Sequence, residues 1–106
     1  MTSGHQAPGF LFANRAGKVV SFRIPGGLVD RIVRDGFCEM ANHALQLHLE
    51  EYETDEVPVT KLRGVVTLLS DLALKDLPGD ERAAVSGMIA FLLDALREGE
   101  SVEVAL

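Results

Sequence analysis

The clearest pattern of apolar and polar positions lies in the second half of the chain, where two segments repeat apolar residues at spacings of three and four. Such spacing places the apolar side chains on one face of a helix. It predicts helices at about 60–75 and 80–98, with Thr60 as the N-cap of the first. The breaker Leu77-Pro78-Gly79 between them is short, which predicts an antiparallel αα-hairpin. The inward residues are Leu62, Val65, Val66, Leu69, Leu72 and Ala73, then Val85, Met88, Ile89, Leu92, Leu93 and Leu96.

Three shorter segments have the character of strands. Phe10-Leu11-Phe12 and Lys18–Ile24 flank the turn sequence Asn14-Arg15-Ala16-Gly17, which predicts a β-hairpin that ends at Pro25. Apolar residues alternate again in 101–106, at Val102, Val104 and Leu106. We expect this segment to form a strand paired with Lys18–Ile24.

The segment from Leu28 to about residue 52 admits two interpretations. A helix is expected from Leu28, and Gly36 either ends it or lies within it. Leu45, Leu47 and Leu49 then alternate with polar residues, which favours a strand near 44–52. A single helix from 28 to about 52 is the alternative.

These elements together predict an α+β fold. A small, mainly antiparallel sheet would consist of the N-terminal hairpin, the C-terminal strand and the segment near 44–52, packed against the αα-hairpin and the helix from about 28. Residues 1–8 carry nothing to bury and are expected to be a disordered tail. Residues 9–106 would then form a single compact domain.

Charge is distributed unevenly along the chain. The formal net charge is −6, composed of +3 in residues 1–37 and −9 in residues 38–106. The densest acidic run consists of Glu50, Glu51, Glu53, Asp55 and Glu56, which is too charged for a core and predicts an exposed connection. We interpret these five residues as a docking surface for a basic protein, although such a run also serves as a solvated loop. Direct binding of nucleic acid is disfavoured, because phosphates require a basic face.

No arrangement typical of a catalytic or metal site is visible. Cys38, His43 and His48 are spaced five apart, which gathers them on neither a helix nor a strand. We therefore expect no metal, no cofactor and no enzymatic activity. Gly26-Gly27 lacks the frame of a phosphate-binding loop, and Arg23 and Arg31 beside it are the candidate anion-binding residues.

The compartment is predicted from Cys38 and from hydropathy. A lone thiol suits a reducing compartment, the N-terminus lacks the pattern of a secretory signal, and no apolar run approaches the length of a membrane span. We expect a cytoplasmic protein with no membrane partner.

The leading functional hypothesis is a small acidic protein that is not an enzyme and that binds and masks or holds a partner protein. Inhibitors, immunity proteins, antitoxins and secretion chaperones share this size and charge. The alternative is a homodimeric regulatory domain or a small-ligand-binding domain, with its pocket between the sheet and the αα-hairpin near Arg23 and Arg31; an enzyme of unknown class ranks third. Residues outside the inward stripes would either widen the core or form a second apolar face for self-association: Leu68, Leu74, Leu77 and Phe91.

Overall fold

The computed structural model describes residues 9–34, 36–49 and 54–105. It confirms the predicted α+β fold, with a four-stranded antiparallel sheet and helices packed on its inner face. The proposed tail, residues 1–8, and the first part of the acidic run, residues 50–53, lie outside the described residues. The elements are β1 (Gly9–Arg15), β2 (Lys18–Ile24), α1 (Gly26–Val29), a π-helical turn (Asp30–Arg34), α2 (Phe37–Leu45), β3 (Thr54–Val57), α3 (Val59–Ala73), α4 (Gly79–Glu98) and β4 (Val102–Ala105).

The N-terminal hairpin forms as predicted. Arg15 pairs with Lys18 across a two-residue loop, and Ala16 and Gly17 both have positive φ angles, of 52° and 85°. Positive φ at both central positions gives a turn whose twist matches that of the flanking strands. The loop therefore sets the register of β1 against β2.

The sheet has the strand order β2-β1-β4-β3, so β4 lies between β1 and β3. The predicted pairing of the C-terminal strand with Lys18–Ile24 is therefore wrong, because β4 pairs with β1. Two side-chain contacts anchor the chain beside β1: Arg15 Nε lies 3.0 Å from Glu100 Oε1, and Asn14 Nδ2 donates to Glu103 Oε1 at 3.2 Å. They bring the entry to β4 to the edge of β1 that β2 leaves open.

The segment after β2 is helical but interrupted. The four-residue α1 passes into the π-helical turn, and Gly36, with φ of 93°, precedes the separate helix α2. A left-handed residue cannot continue a right-handed helix, so Gly36 divides the segment and the single long helix from 28 to about 52 does not form. Gln46, with φ of 56°, ends α2.

The strand near 44–52 is not formed in the described part of that segment. Ala44 and Leu45 belong to α2, and residues 47–49 are in no strand. The alternation is real, since Leu47 and Leu49 are buried and His48 is exposed. The backbone of Leu49, however, bonds to a side chain and not to a neighbouring strand. Asn42 Nδ2 donates to the Leu49 carbonyl at 2.9 Å, and the Leu49 amide donates to Asn42 Oδ1 at 2.7 Å.

The acidic run is not simply an exposed connection, because its last part belongs to the strand β3 (Thr54–Val57). Its residues pair with β4 from Thr54↔Ala105 to Val57↔Val102. Val57 is 2% exposed and anchors the strand in the core. The buried valine thus holds this acidic segment in the sheet, while the side chain of Glu56 remains exposed to water.

The predicted αα-hairpin is confirmed, with α3 and α4 within two residues of the expected bounds. Thr60 is not the N-cap, because α3 begins at Val59 after the extended residue Pro58. Pro at a helix start is favourable, since its ring fixes φ near the helical value. At the connection, Arg82 of α4 donates to the carbonyls of Ala73 and Lys75, which have no partners within α3.

The core lies between the inner face of the sheet and the helices. Among the described residues the largest side chains that are almost fully inaccessible are Leu28, Leu62, Val57, Val85 and Val102. Of the four residues that suggested a second apolar face, Leu77 is buried, Leu68 and Phe91 pack against the core, and Leu74 is 84% exposed. Three of the four therefore widen the core, and self-association stays a prediction.

Substitution of Leu62 by alanine should lower the free energy of unfolding by about 2–5 kcal/mol, because it leaves a cavity under a fully buried leucine. Leu74→Ala is the matched control, since Leu74 is exposed and its loss should change stability by less than about 0.5 kcal/mol. Chemical denaturation followed by circular dichroism measures both. Equal losses for the two variants would contradict the assigned core.

Candidate functional site

The described part of the acidic run lies at one edge of the sheet. Glu56 of β3 is exposed, whereas Asp55 is half-buried on the side of the strand that carries Val57. Glu50, Glu51 and Glu53, the other candidate partner-binding residues, lie outside the described residues. In the strand order β2-β1-β4-β3, β3 is an edge strand.

Two glutamates face each other across β3 and β4. Glu56 and Glu103 are register partners and both are exposed on the outer face of the sheet, opposite the helices. Glu56 Oε2 accepts a hydrogen bond from Ser101 Oγ at 3.0 Å, and Glu103 Oε1 accepts one from Asn14 Nδ2 at 3.2 Å. Neither takes part in an ion pair within the described residues. We name Glu56 and Glu103 the acidic pair.

Arginine from the basic N-terminal part of the chain neutralises other acids nearby. Arg15 Nη1 lies 3.0 Å from Asp94 Oδ2, and Arg15 Nε lies 3.0 Å from Glu100 Oε1. Its guanidinium also lies over the Phe91 ring, 5.8 Å from the centroid, and Asp94 pairs in addition with Arg97. The charge of Arg15 is therefore balanced by Asp94 and Glu100, and the acidic pair takes no part in this cluster.

Arg31, a candidate anion-binding residue, is held by an acid of the same chain. Its Nε donates to Glu81 Oε1 at 2.9 Å, and the Glu81 side chain is only 8% exposed. Because Arg31 is 35% exposed, separation of the two side chains would leave only the Glu81 carboxylate buried without its partner, at a cost of about 1–3 kcal/mol. The pair therefore ties the π-helical turn to the first turn of α4.

Gly27 gives the Glu81 carboxylate the space that it occupies. A Cβ atom on Gly27 would lie 2.7 Å from Glu81 Oε2, closer than van der Waals contact permits. Gly27 thus lies against a carboxylate of the protein itself. Arg23, the other candidate, is exposed on β2, where it pairs in register with Phe10.

The structure keeps Cys38, His43 and His48 in different environments. Cys38 is buried in α2, His43 is exposed on the same helix, and His48 is exposed in the connection after it. No group of three or more histidine, cysteine, aspartate or glutamate residues in the described ranges is arranged to hold a metal ion.

Two concave features lie near the helices. Under the sheet is a cavity of about 60 Å³ whose lining is wholly apolar and includes Phe22, Cys38, Leu69, Met88 and Val104. Arg31 does not line it. Arg31 lines instead a cleft of about 190 Å³ between the start of α2 and the end of α3. The expected pocket was to lie both between the sheet and the αα-hairpin and near Arg31. The structure has a separate concave site at each of these two positions.

Comparisons with protein-family models, with curated proteins and with solved structures find no match for this chain. None of the described helices combines the length and the apolar character that crossing a membrane requires.

Gly27→Ala should lower the free energy of unfolding by about 1–2 kcal/mol, because the new methyl group displaces the Glu81 carboxylate from Arg31. Gly79→Ala is the matched control: no atom lies within 4 Å of its Cβ position, so alanine should raise stability by up to about 1 kcal/mol. In a Glu81→Ala background the penalty at Gly27 should vanish. Thermal denaturation of the four variants checks the cycle, and a penalty that persists without Glu81 would refute the assignment.

Proposed function

We propose that this chain is a protein-binding module without catalytic activity, which docks a basic surface of a partner protein on the acidic edge of its sheet and so masks or holds that partner. The observation that carries the proposal is the acidic pair, in which two exposed carboxylates face each other across β3 and β4. The docking surface comprises the acidic pair on the outer face of the sheet, together with Glu50, Glu51 and Glu53 from the sequence just before β3. Asp55, the fifth acid of the run, lies half-buried on the opposite face of β3 and would contribute only to the electrostatic field of this edge.

The acidic pair is unfavourable in the isolated protein. Like charges directly opposite each other on antiparallel strands destabilise the sheet, by about 0.2–1 kcal/mol. A lysine or arginine of a partner placed between Glu56 and Glu103 would turn this repulsion into attraction. Because binding would relieve the repulsion between Glu56 and Glu103, this repulsion favours the bound state.

The backbone of β3 supports the same role. The outer side of an edge strand is where an extended segment of another protein can add to a sheet as a further strand. Two copies of β3 paired antiparallel would bring their glutamates together, so this edge disfavours self-pairing. An extended segment of a partner that carries basic residues could add to this edge without such repulsion.

The acidic residues before β3 would act mainly on the rate of association. Charges that lie at the rim of an interface steer the encounter between partners and make it sensitive to salt. For a partner that itself binds nucleic acid, the carboxylates would take the place of phosphates in its basic cleft. This mode suits an inhibitor, an immunity protein or an antitoxin, and the buried single thiol of Cys38 suits a reducing cytoplasm.

The double variant Glu56→Gln/Glu103→Gln should be more stable than the wild type and yet bind more weakly. Relief of the repulsion should raise the free energy of unfolding by a few tenths to about 1 kcal/mol. Glu39→Gln/Asp76→Asn is the matched control, because Glu39 is exposed on α2, Asp76 is exposed in the connection between α3 and α4, and the change in net charge is the same. Denaturation curves measure this effect with no partner present.

Binding is measured after affinity capture from native lysate and purification of the captured protein. The association rate constant should fall about tenfold in the Glu56→Gln/Glu103→Gln variant, and its dependence on ionic strength should flatten. Neutralisation of Glu50, Glu51 and Glu53 should add to both changes. Equal rates and equal salt dependence for the acidic-pair variant and the Glu39→Gln/Asp76→Asn control would refute the proposal.

A further inference from the structure

The cleft beside Arg31 is the more spacious of the two concave features described. Its lining contains two basic residues, Arg31 of the π-helical turn and Lys75 just after α3, and one acidic residue, Asp71. Phe37 and Leu72 are buried, Leu68 is half-buried, and Met40 is 49% exposed. The cleft shares no residue with the acidic pair.

The cleft follows from the packing of α2 against α3. A Cβ atom on Gly64 would lie 2.5 Å from Leu45 Cδ2, so the two helices approach closely where α2 ends. At the opposite end, Phe37 and Met40 face Leu68 and Leu72 across open space. The helices therefore run antiparallel and lie farther apart at the start of α2 than at its end, which leaves the cleft between them.

The two cations of the cleft are held differently. The buried Glu81 accepts a hydrogen bond from Arg31 Nε, which fixes the orientation of a guanidinium that is 35% exposed. Lys75 is exposed, and its ammonium has no ion-pair partner within residues 9–34, 36–49 and 54–105. Arg82 holds the backbone of Lys75 through its carbonyl oxygen. Arg31, whose orientation is fixed, and Lys75, whose side chain can adjust, thus border the apolar part of the cleft.

We propose that this cleft binds a small organic monocarboxylate with an apolar body. The carboxylate would lie between Arg31 and Lys75, where charge-assisted hydrogen bonds are available. The apolar body would cover Met40 and Leu68, and Met adapts readily to ligands of different shape. Asp71, which also lines the cleft, disfavours ligands of higher negative charge such as nucleoside di- and triphosphates.

The test is a titration of the isotope-labelled chain, followed by its amide resonances, with 4-methylpentanoate and 3-phenylpropanoate as probes. Saturable shifts should centre on Gly36, Met40, Leu68 and Lys75, with Kd on the order of 1 mM for ligands of this size. The corresponding neutral amide, 4-methylpentanamide, should bind about tenfold more weakly, because it lacks the charge.

Variants of exposed residues keep the fold intact and separate charge from shape. Lys75→Gln should weaken binding of both acids about three- to tenfold, whereas Lys18→Gln, an exposed lysine at the start of β2, should leave it unchanged. Met40→Glu should remove binding. The proposal is overturned by absence of saturable shifts up to about 50 mM, by equal affinity for acid and amide, or by unchanged binding in Lys75→Gln.

Discussion

The pleat of β3 and β4 is the constraint on which both the core and the proposed docking surface depend. Successive side chains of a strand point to opposite faces, so the register that buries Val57 and Val102 also places Glu56 and Glu103 together on the outside. A slip of one residue would drive the carboxylates into the apolar layer and expose the valines. The burial of two valines thus fixes the position of two charges.

The unequal distribution of charge along the chain is resolved partly within the fold. Arg15 and Arg31 come from the basic N-terminal part, and both pair with acids in or just after α4. These contacts join distant segments, and both arginines pair with acids other than Glu56 and Glu103. What remains at β3 and β4 is a surplus that the protein's own arginines do not reach within the described residues. Folding and the proposed recognition therefore draw on the same imbalance.

Sequence patterns predicted correctly the elements that are determined by residues close together in the chain. The helical stripes from Leu62 to Leu96 set α3 and α4, and the turn at Ala16-Gly17 set the hairpin. The alternation at Leu47 and Leu49 misled because an asparagine side chain, which no periodicity reveals, supplies the hydrogen bonds of a neighbouring strand. Arg31 was named from its place in the sequence, but its partner Glu81 lies 50 residues away. The cleft beside it arises from two helices diverging, which is a property of packing.

The central position of β4 has a consequence for the order of folding. The hairpin of β1 and β2 can close early, because its strands are adjacent in sequence, whereas in the described part of the chain β3 has only β4 as a neighbour in the sheet. Contacts such as that between Asn14 and Glu103 span 89 residues, and closing so long a loop is entropically slow. Until β4 inserts, the sheet exists as two unconnected parts. From this topology we expect insertion of β4 to be a late step of folding, which joins β3 to the hairpin of β1 and β2.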